Sequence, residues 1–137
     1  MLQFYFLSIL LNAIIGYMLV YADRESLDIV PDARVPAIVH DETFRLVLGI
    51  LTAVTGFFKL LTPVRGDIPV IGDLFPALTG LAGGFAVLYE YYKTRTTVDE
   101  EALPPFVRKI IDGKRYVGVA CLMAAAFHFL FPTIPFL

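Results

Sequence analysis

Four long apolar blocks without a charged side chain constrain the fold of this chain more than any other feature. Asp, Glu, Lys and Arg are absent from four stretches: 1–22, 46–58, 74–89 and 116–137. A helix needs roughly 20 apolar residues to cross a bilayer core of about 30 Å. The outer blocks meet this length alone, and the middle blocks meet it when long polar side chains at their ends extend to the headgroups. We therefore expect membrane-spanning helices over four segments: 2–21, 44–61, 74–92 and 116–136.

The composition agrees with that of an integral membrane protein. Hydrophobic residues make up 58% of the 137 positions and charged residues only 18%, against about 25% charged in soluble domains. The expected fold is all-α: one integral membrane four-helix bundle, forming a single domain over 1–137. A net charge of −2 argues against a nucleic-acid partner. The lone Cys121 excludes an internal disulfide.

Small residues in the two middle segments predict close helix packing. In the second segment these are Gly49, Ala53 and Gly56. In the third segment, Gly80 and Gly84 form a GxxxG motif, which lets two backbones approach closely. Because neighbours joined by a short turn usually pack together, we expect the second and third helices to be partners, although a second copy of the chain would satisfy the same motif.

Two polar side chains inside the apolar segments are candidate functional residues. Asn12 lies on one stripe with Ser8 and Gly16, at i, i+4 and i+8. We interpret this stripe as helix packing, and a polar patch on a solute path is the alternative. His128 is an ionisable residue deep in the last segment, and such residues are functional candidates in membranes. We favour a neutral histidine bonded to a neighbouring helix or lying at the outer interface, and a functional His128 is the alternative.

The charged residues near the ends of the second segment are expected to face the headgroups. Arg45 and Lys59 flank its apolar run, and long cationic side chains there can reach the membrane surface. A buried functional Lys59 is the less favoured interpretation.

The turn over 62–73 contains the carboxylates Asp67 and Asp73. Asp73 is placed to cap the third helix, whose first turn accommodates Pro76. A cation site formed by both carboxylates is the alternative, since hard cations bind several oxygens.

The two polar loops, 22–43 and 93–115, carry the remaining chemistry. His40, Asp41 and Glu42 resemble metal-binding or acid–base residues, but carboxylates at a helix start are better explained by the N-terminal dipole. In the second loop, FVRKIIDG predicts a short amphipathic surface helix that ends near Gly113. A docking site for a soluble partner is the rival interpretation.

The distribution of basic residues predicts the orientation. Nine of the eleven Lys and Arg residues lie in or beside the two polar loops, and only Lys59 and Arg65 lie on the other side. Because basic loops stay in the cytoplasm, loops 22–43 and 93–115 are expected there and both termini outside. Six tyrosines fall at the same predicted interface, where aromatic rings are favoured: Tyr17, Tyr21, Tyr89, Tyr91, Tyr92 and Tyr116.

No motif for hydrolysis, nucleotide binding or metal catalysis occurs, so we expect no catalytic residue, cofactor or metal. The favoured function is a non-enzymatic structural or accessory component of a membrane assembly, surrounded by lipid and associating with itself or another membrane protein. A small oligomeric transporter or channel using Asn12, His128, Asp67 and Asp73 is the alternative. A membrane enzyme using His40, Asp41 and Glu42 ranks last.

Overall fold

The computed structural model describes residues 2–21, 36–61, 74–97 and 99–131, and within these ranges the chain is entirely helical apart from short connections. Five α-helices occur in the order α1 (Leu2–Tyr21), α2 (Glu42–Leu61), α3 (Leu74–Arg95), α4 (Pro105–Asp112) and α5 (Lys114–Leu130). Two short 3-10 helices, Ala37–His40 and Glu100–Ala102, precede α2 and α4. The all-α expectation is therefore confirmed for the described part of the chain.

The helix boundaries follow the apolar blocks closely. α1 has the predicted limits, and α2 begins two residues earlier than expected because Asp41 caps it: its Oδ1 accepts a hydrogen bond of 2.7 Å from the Phe44 N–H. α3 continues past Tyr92 to Arg95. α5 begins at Lys114, two residues before the predicted start, and ends at Leu130. The last part of the predicted segment, 132–136, lies outside the described ranges.

Within the described part of the chain, two helices are long and apolar enough to cross a membrane: Gln3–Tyr21 in α1 and Glu42–Leu61 in α2. Among the described residues, α3 and α5 do not reach the same criterion. α3 carries many small residues and a charged last turn, which lower its mean hydropathy, and α5 has only 17 residues.

Glycines bring α2 and α3 together as an antiparallel pair. A Cβ atom added at Gly84 would lie 2.8 Å from the backbone N of Ala53 and 2.9 Å from the carbonyl O of Gly49. Nearer the other end of the pair, a Cβ at Gly56 would lie 2.9 Å from the Ala77 carbonyl O. Helix α2 thus packs directly on the backbone of α3.

Gly80 has a different environment from Gly84, although both belong to the GxxxG motif. A Cβ at Gly80 would lie 3.5 Å from Asn12 Nδ2 and 3.6 Å from Thr52 Cγ2, which is ordinary van der Waals contact. The close backbone approach of α2 and α3 therefore passes through Gly84 and Gly56, and Gly80 lies where α1 and α2 side chains meet.

A second close contact, which the sequence did not indicate, joins α1 to α5. A Cβ at Gly16 would lie 2.7 Å from the Gly118 carbonyl O, and one at Gly118 would lie 2.8 Å from Leu19 Cβ. Gly16 therefore serves helix packing, and the first helix of the chain lies antiparallel to the last.

The two pairs meet along α1 and α3. Gly83 of α3 faces both partners at this point, since a Cβ added there would lie 2.6 Å from Ile15 Cγ2 of α1 and 2.9 Å from Cys121 Sγ of α5. The buried apolar cluster surrounds this contact and comprises Leu11, Ile15, Met18, Leu19, Val39, Leu48, Ala86, Val87 and Cys121. The core thus lies between all four long helices.

Helix α4 is the predicted amphipathic helix. It starts after Pro104 and ends at Gly113, whose N–H donates to the Lys109 carbonyl O at 3.1 Å. Val107, Ile110 and Ile111 are half-buried, whereas Phe106 is 74% exposed. The apolar side chains of α4 are therefore not all protected to the same degree.

The outer surface of the long helices is apolar. Large hydrophobic side chains that are more than a third exposed occur on each of them: Phe6 and Leu10 on α1, Val54 and Phe57 on α2, Leu78 and Phe85 on α3, and Met123 and Phe129 on α5. Polar side chains are instead buried between the helices, in positions described below.

Candidate functional site

A lysine and a histidine contact each other inside the molecule. Lys59, in the last turn of α2, places Nζ 2.7 Å from Nε2 of His128, in the last turn of α5. The two residues are only 6% and 2% exposed. Lys59 was expected to extend to the headgroups, and the structure instead directs it inward because α5 presents a hydrogen-bonding partner there.

Tyr5 of α1 completes this group of side chains. Its hydroxyl donates to the backbone carbonyl O of His128. Its ring lies 4.3 Å from the His128 ring, centroid to centroid, and Lys59 Nζ lies 5.6 Å from the Tyr5 centroid. We call Tyr5, Lys59 and His128 the Lys–His cluster. It joins α1, α2 and α5 at one end of the molecule.

Asn12 forms a second polar group, about two helical turns along α1 from Tyr5. Its Nδ2 donates to the Ser8 carbonyl O at 3.0 Å and to the Pro76 carbonyl O of α3 at 3.2 Å. Its Oδ1 accepts from Thr79 Oγ1 at 3.1 Å. Cys121 Sγ in turn donates to the Thr79 carbonyl O at 3.2 Å. This network ties α1 to α3 and α3 to α5.

The buried polar side chains of the described helices lie in the same half of the interior. They are Ser8, Asn12, Thr52, Thr55, Lys59, Thr79 and His128. In the antiparallel arrangement these positions lie before or close to the middle of α1 and α3 and beyond the middle of α2 and α5. The other half is filled mainly by apolar side chains such as Ile15, Met18, Leu48 and Val87, and the hydroxyl of Tyr89 is buried there as well. The interior therefore has a polar half and an apolar half.

Charged side chains lie beyond the apolar half of the interior, at the end of the molecule opposite the Lys–His cluster. Glu90 of α3 lies 2.6 Å from Lys114 Nζ of α5 and 3.6 Å from Arg45 Nη1 of α2. Arg45 Nε also donates to the Val39 carbonyl O at 2.7 Å, so Arg45 binds protein groups where headgroup contact was expected. These contacts bring the start of α2, the end of α3 and the start of α5 together.

A more exposed ion pair lies beside this group. Arg95 Nη2 donates to Glu42 Oε2 at 2.6 Å. The hydrogen bond and the charge of Glu42 together raise the pKa of the Arg95 guanidinium above its usual value. Since both side chains are more than half exposed, solvent screens this pair strongly.

The structure thus places only some of the predicted functional residues near one another. Asn12 and His128 both lie in the polar half, in separate groups joined by the stretch of α1 between Tyr5 and Asn12. Asp67 and Asp73 lie outside the described residues. Asp41 acts as a helix cap, as expected, and within the described ranges no group of three His, Cys, Asp or Glu residues is placed to hold a metal ion.

Sequence reasoning undervalued Lys59 and missed Tyr5 and Thr79. Lys59 interrupts an otherwise apolar run between Phe58 and Leu60, and that interruption was the available signal. Tyr5 and Thr79 gave no signal, because their partners are 123 and 67 residues away along the chain.

Comparisons with known proteins give a family but no activity. A family model for a domain of unknown function matches residues 1–128. An uncharacterized protein of Treponema pallidum (strain Nichols) is 33% identical over 135 residues, covering 98% of each chain. No solved structure matches the chain. The chain therefore belongs to the family whose model spans residues 1–128.

Proposed function

We propose that the protein is an integral membrane protein whose helices α1, α2, α3 and α5 cross the bilayer as a four-helix bundle. The inverted distribution of side chains carries this proposal. Phenylalanine and leucine side chains cover the outside, whereas lysine, histidine, asparagine and threonine are buried. Soluble monomers rarely expose contiguous apolar patches beyond a few hundred Å². In lipid, polar groups are instead directed toward neighbouring helices.

Within the membrane, the protein acts as a non-enzymatic structural or accessory component. The Asn12 network and the Lys–His cluster bond helix to helix, and the apolar half of the interior interrupts any polar route through a single copy. The exposed apolar surface contacts lipid, a second copy or another membrane protein. Native mass spectrometry of the detergent-purified protein reports which of these partners it retains.

The charged end of the molecule faces the cytoplasm in this proposal, and both termini face outward. Support comes from the contacts of Glu90 with Lys114 and Arg45, which bring the regions beside the two basic loops to one end. Basic residues are retained on the cytoplasmic side.

Cysteine labelling tests this topology. Asp67→Cys and Glu100→Cys, each in a Cys121→Ala background, are expected to react with a membrane-impermeant thiol reagent from opposite sides. The native thiol must be removed because Cys121 is the one cysteine in the chain. Labelling of both positions from the same side would reject the four-span arrangement.

A small oligomeric transporter is the second candidate, and the buried contact of Lys59 with His128 favours it. Ionisable groups within membrane segments commonly mark ion or proton routes. Proton-driven flux in proteoliposomes that is lost in Lys59→Met and retained in Lys109→Met would favour this candidate. Lys109 is a suitable control because it is an exposed lysine on α4. Equal flux in empty liposomes and proteoliposomes would exclude proton transport.

A further inference from the structure

The contact between Lys59 and His128 joins two nitrogens that both carry protons in water, and it lies in the polar half of the interior. We propose that the Lys–His cluster is a proton-binding site that holds one proton between Lys59 Nζ and His128 Nε2. The site goes beyond the proposed accessory function, and its assignment does not depend on which side of the membrane it faces.

The count of hydrogen-bond donors limits the charge of the pair. An ammonium group has three donors and no acceptor, and an imidazolium has a donor on each ring nitrogen and no acceptor. At 2.7 Å, one of the two nitrogens must accept a hydrogen bond from the other. Both groups therefore cannot be protonated while the contact exists, and the pair carries at most one positive charge.

The chemistry of the two nitrogens places that proton on the lysine. An alkyl amine binds a proton more tightly than an imidazole in water. The face of the Tyr5 ring, 5.6 Å from Nζ, also favours a cation at this position. His128 is then the neutral tautomer with its proton on Nδ1, a buried nitrogen for which the described residues provide no hydrogen-bond acceptor, and Nε2 is the acceptor.

Tyr5 positions the histidine for this role. Its hydroxyl donates to the backbone carbonyl O of His128, and its ring lies 4.3 Å from the imidazole. Both contacts hold the end of α5 against α1, so that Nε2 is directed toward α2. Tyr5 is a positioning residue and donates no proton to the pair.

The other titratable groups on the neighbouring helices are distant from this end. In α3, the titratable residues begin at Tyr89 and extend to Arg95, and they lie with Glu90 at the opposite end of the molecule. Arg65, Asp67 and Asp73 lie outside the described residues. The limit of one positive charge on the nitrogen pair follows from the contact itself and does not depend on them.

Proton movement within the site leaves its charge unchanged. When a proton passes from Nζ to Nε2, an N–H bond breaks at lysine and another forms at histidine, giving a neutral amine and an imidazolium. A second proton added to the pair removes the acceptor and breaks the hydrogen bond between Lys59 and His128. This hydrogen bond therefore depends on how many protons the site holds.

Nitrogen-15 NMR of histidine-labelled protein in lipid nanodiscs tests the assignment. The chain has only two histidines, and His40→Gln identifies the His128 signals. At neutral pH we expect the neutral pattern with Nδ1 protonated and Nε2 shifted as a hydrogen-bond acceptor, with a correlation to a labelled lysine Nζ. An imidazolium pattern, a protonated Nε2, or no lysine correlation would overturn the proposal.

Two lysine variants distinguish the site from a general effect on the fold. Lys59→Met removes the donor, so the Nε2 resonance should move to the position of a free acceptor. Lys109→Met, on the exposed face of α4, should leave it unchanged. An Nε2 resonance unaffected in a folded Lys59→Met protein contradicts the proposal. If Lys59→Met does not fold, the native spectrum and the Tyr5→Phe variant test the assignment of the His128 tautomer. Tyr5→Phe keeps the aromatic ring and should keep the same tautomer.

Discussion

At the scale of single residues, the space in front of a glycine decides its role. Gly80 and Gly84 lie one turn apart on α3, yet Gly84 touches the α2 backbone and Gly80 does not. Because both are helical, replacement by alanine gives both the same gain in helix propensity, about 1 kcal/mol. Any difference in stability between the two alanine variants therefore comes from the packing contact of position 84 with α2.

Gly84→Ala is expected to destabilise the protein, and Gly80→Ala is expected to be neutral or stabilising. The new methyl at position 84 would lie 2.8 Å and 2.9 Å from backbone atoms of α2, and such overpacking typically costs about 1–3 kcal/mol. Thermal melting in one detergent compares the variants. Equal melting temperatures would mean that α2 and α3 do not approach as closely as described.

Asn12→Ala is expected to lower stability by about 1 kcal/mol, since it removes hydrogen bonds to α3 at Pro76 and Thr79. Ser8→Ala is the matched control on the same helix face. Its hydroxyl receives only a long contact of 3.4 Å from Asn12 Nδ2. Denaturation in mixed detergent micelles measures both, and a larger loss for Ser8→Ala would show that Asn12 is not the centre of the network.

The sequence predicted which polar residues matter only where a residue contrasts with its neighbours. His128 stands out in an apolar run, and so became a candidate. Its partner Lys59 was missed because a lysine in the last turn of a helix satisfies the rule for headgroup contact equally well. The choice between the two positions depends on which residue of another helix lies opposite, and that information is absent from local sequence.

At the scale of elements, the long helices begin within two residues of the predicted starts, because apolar runs, caps and glycines define helices locally. Asp41 and Gly113 mark helix ends where they were expected. The pairing of α1 with α5 was not predicted. Gly16 and Gly118 are far apart along the chain, and neither belongs to a recognisable motif, so their contact could not be inferred from one sequence.

The charged groups at the helix ends should differ in how much they contribute to the stability of the protein. Glu90→Gln is expected to destabilise the protein by about 1–2 kcal/mol, because Glu90 is partly buried and serves cations on both α2 and α5. Glu42→Gln should have no measurable effect, since its pair with Arg95 is exposed. Melting at low and high salt checks this: the Glu90 effect should persist, and its disappearance at high salt would contradict a partly buried location.

At the scale of the whole molecule, the apolar outer surface and the polar half of the interior together predict that the exposed face of α2 contacts lipid. Val54→Asp, on the exposed side of α2, should reduce membrane insertion, because an aspartate at the centre of a spanning helix costs about 2.5–3.5 kcal/mol. Phe106→Asp, on exposed α4, should not. The amount of protein in the membrane fraction measures both.

A Val54→Asp protein recovered in the membrane at unchanged yield would show that this face of α2 does not contact lipid. Recovery as a stable soluble protein would go further and contradict the proposal that α2 crosses the bilayer.

The pairing of the first helix with the last also governs the order in which the chain can assemble during synthesis. Domains fold during synthesis, the N-terminal ones first, and α2 can pair with α3 once the helix that ends at Arg95 has left the ribosome. Helix α1 must remain without its closest partner until Gly118 and the rest of α5 have followed. The α2–α3 hairpin is thus the part of the molecule that a truncated chain can still form.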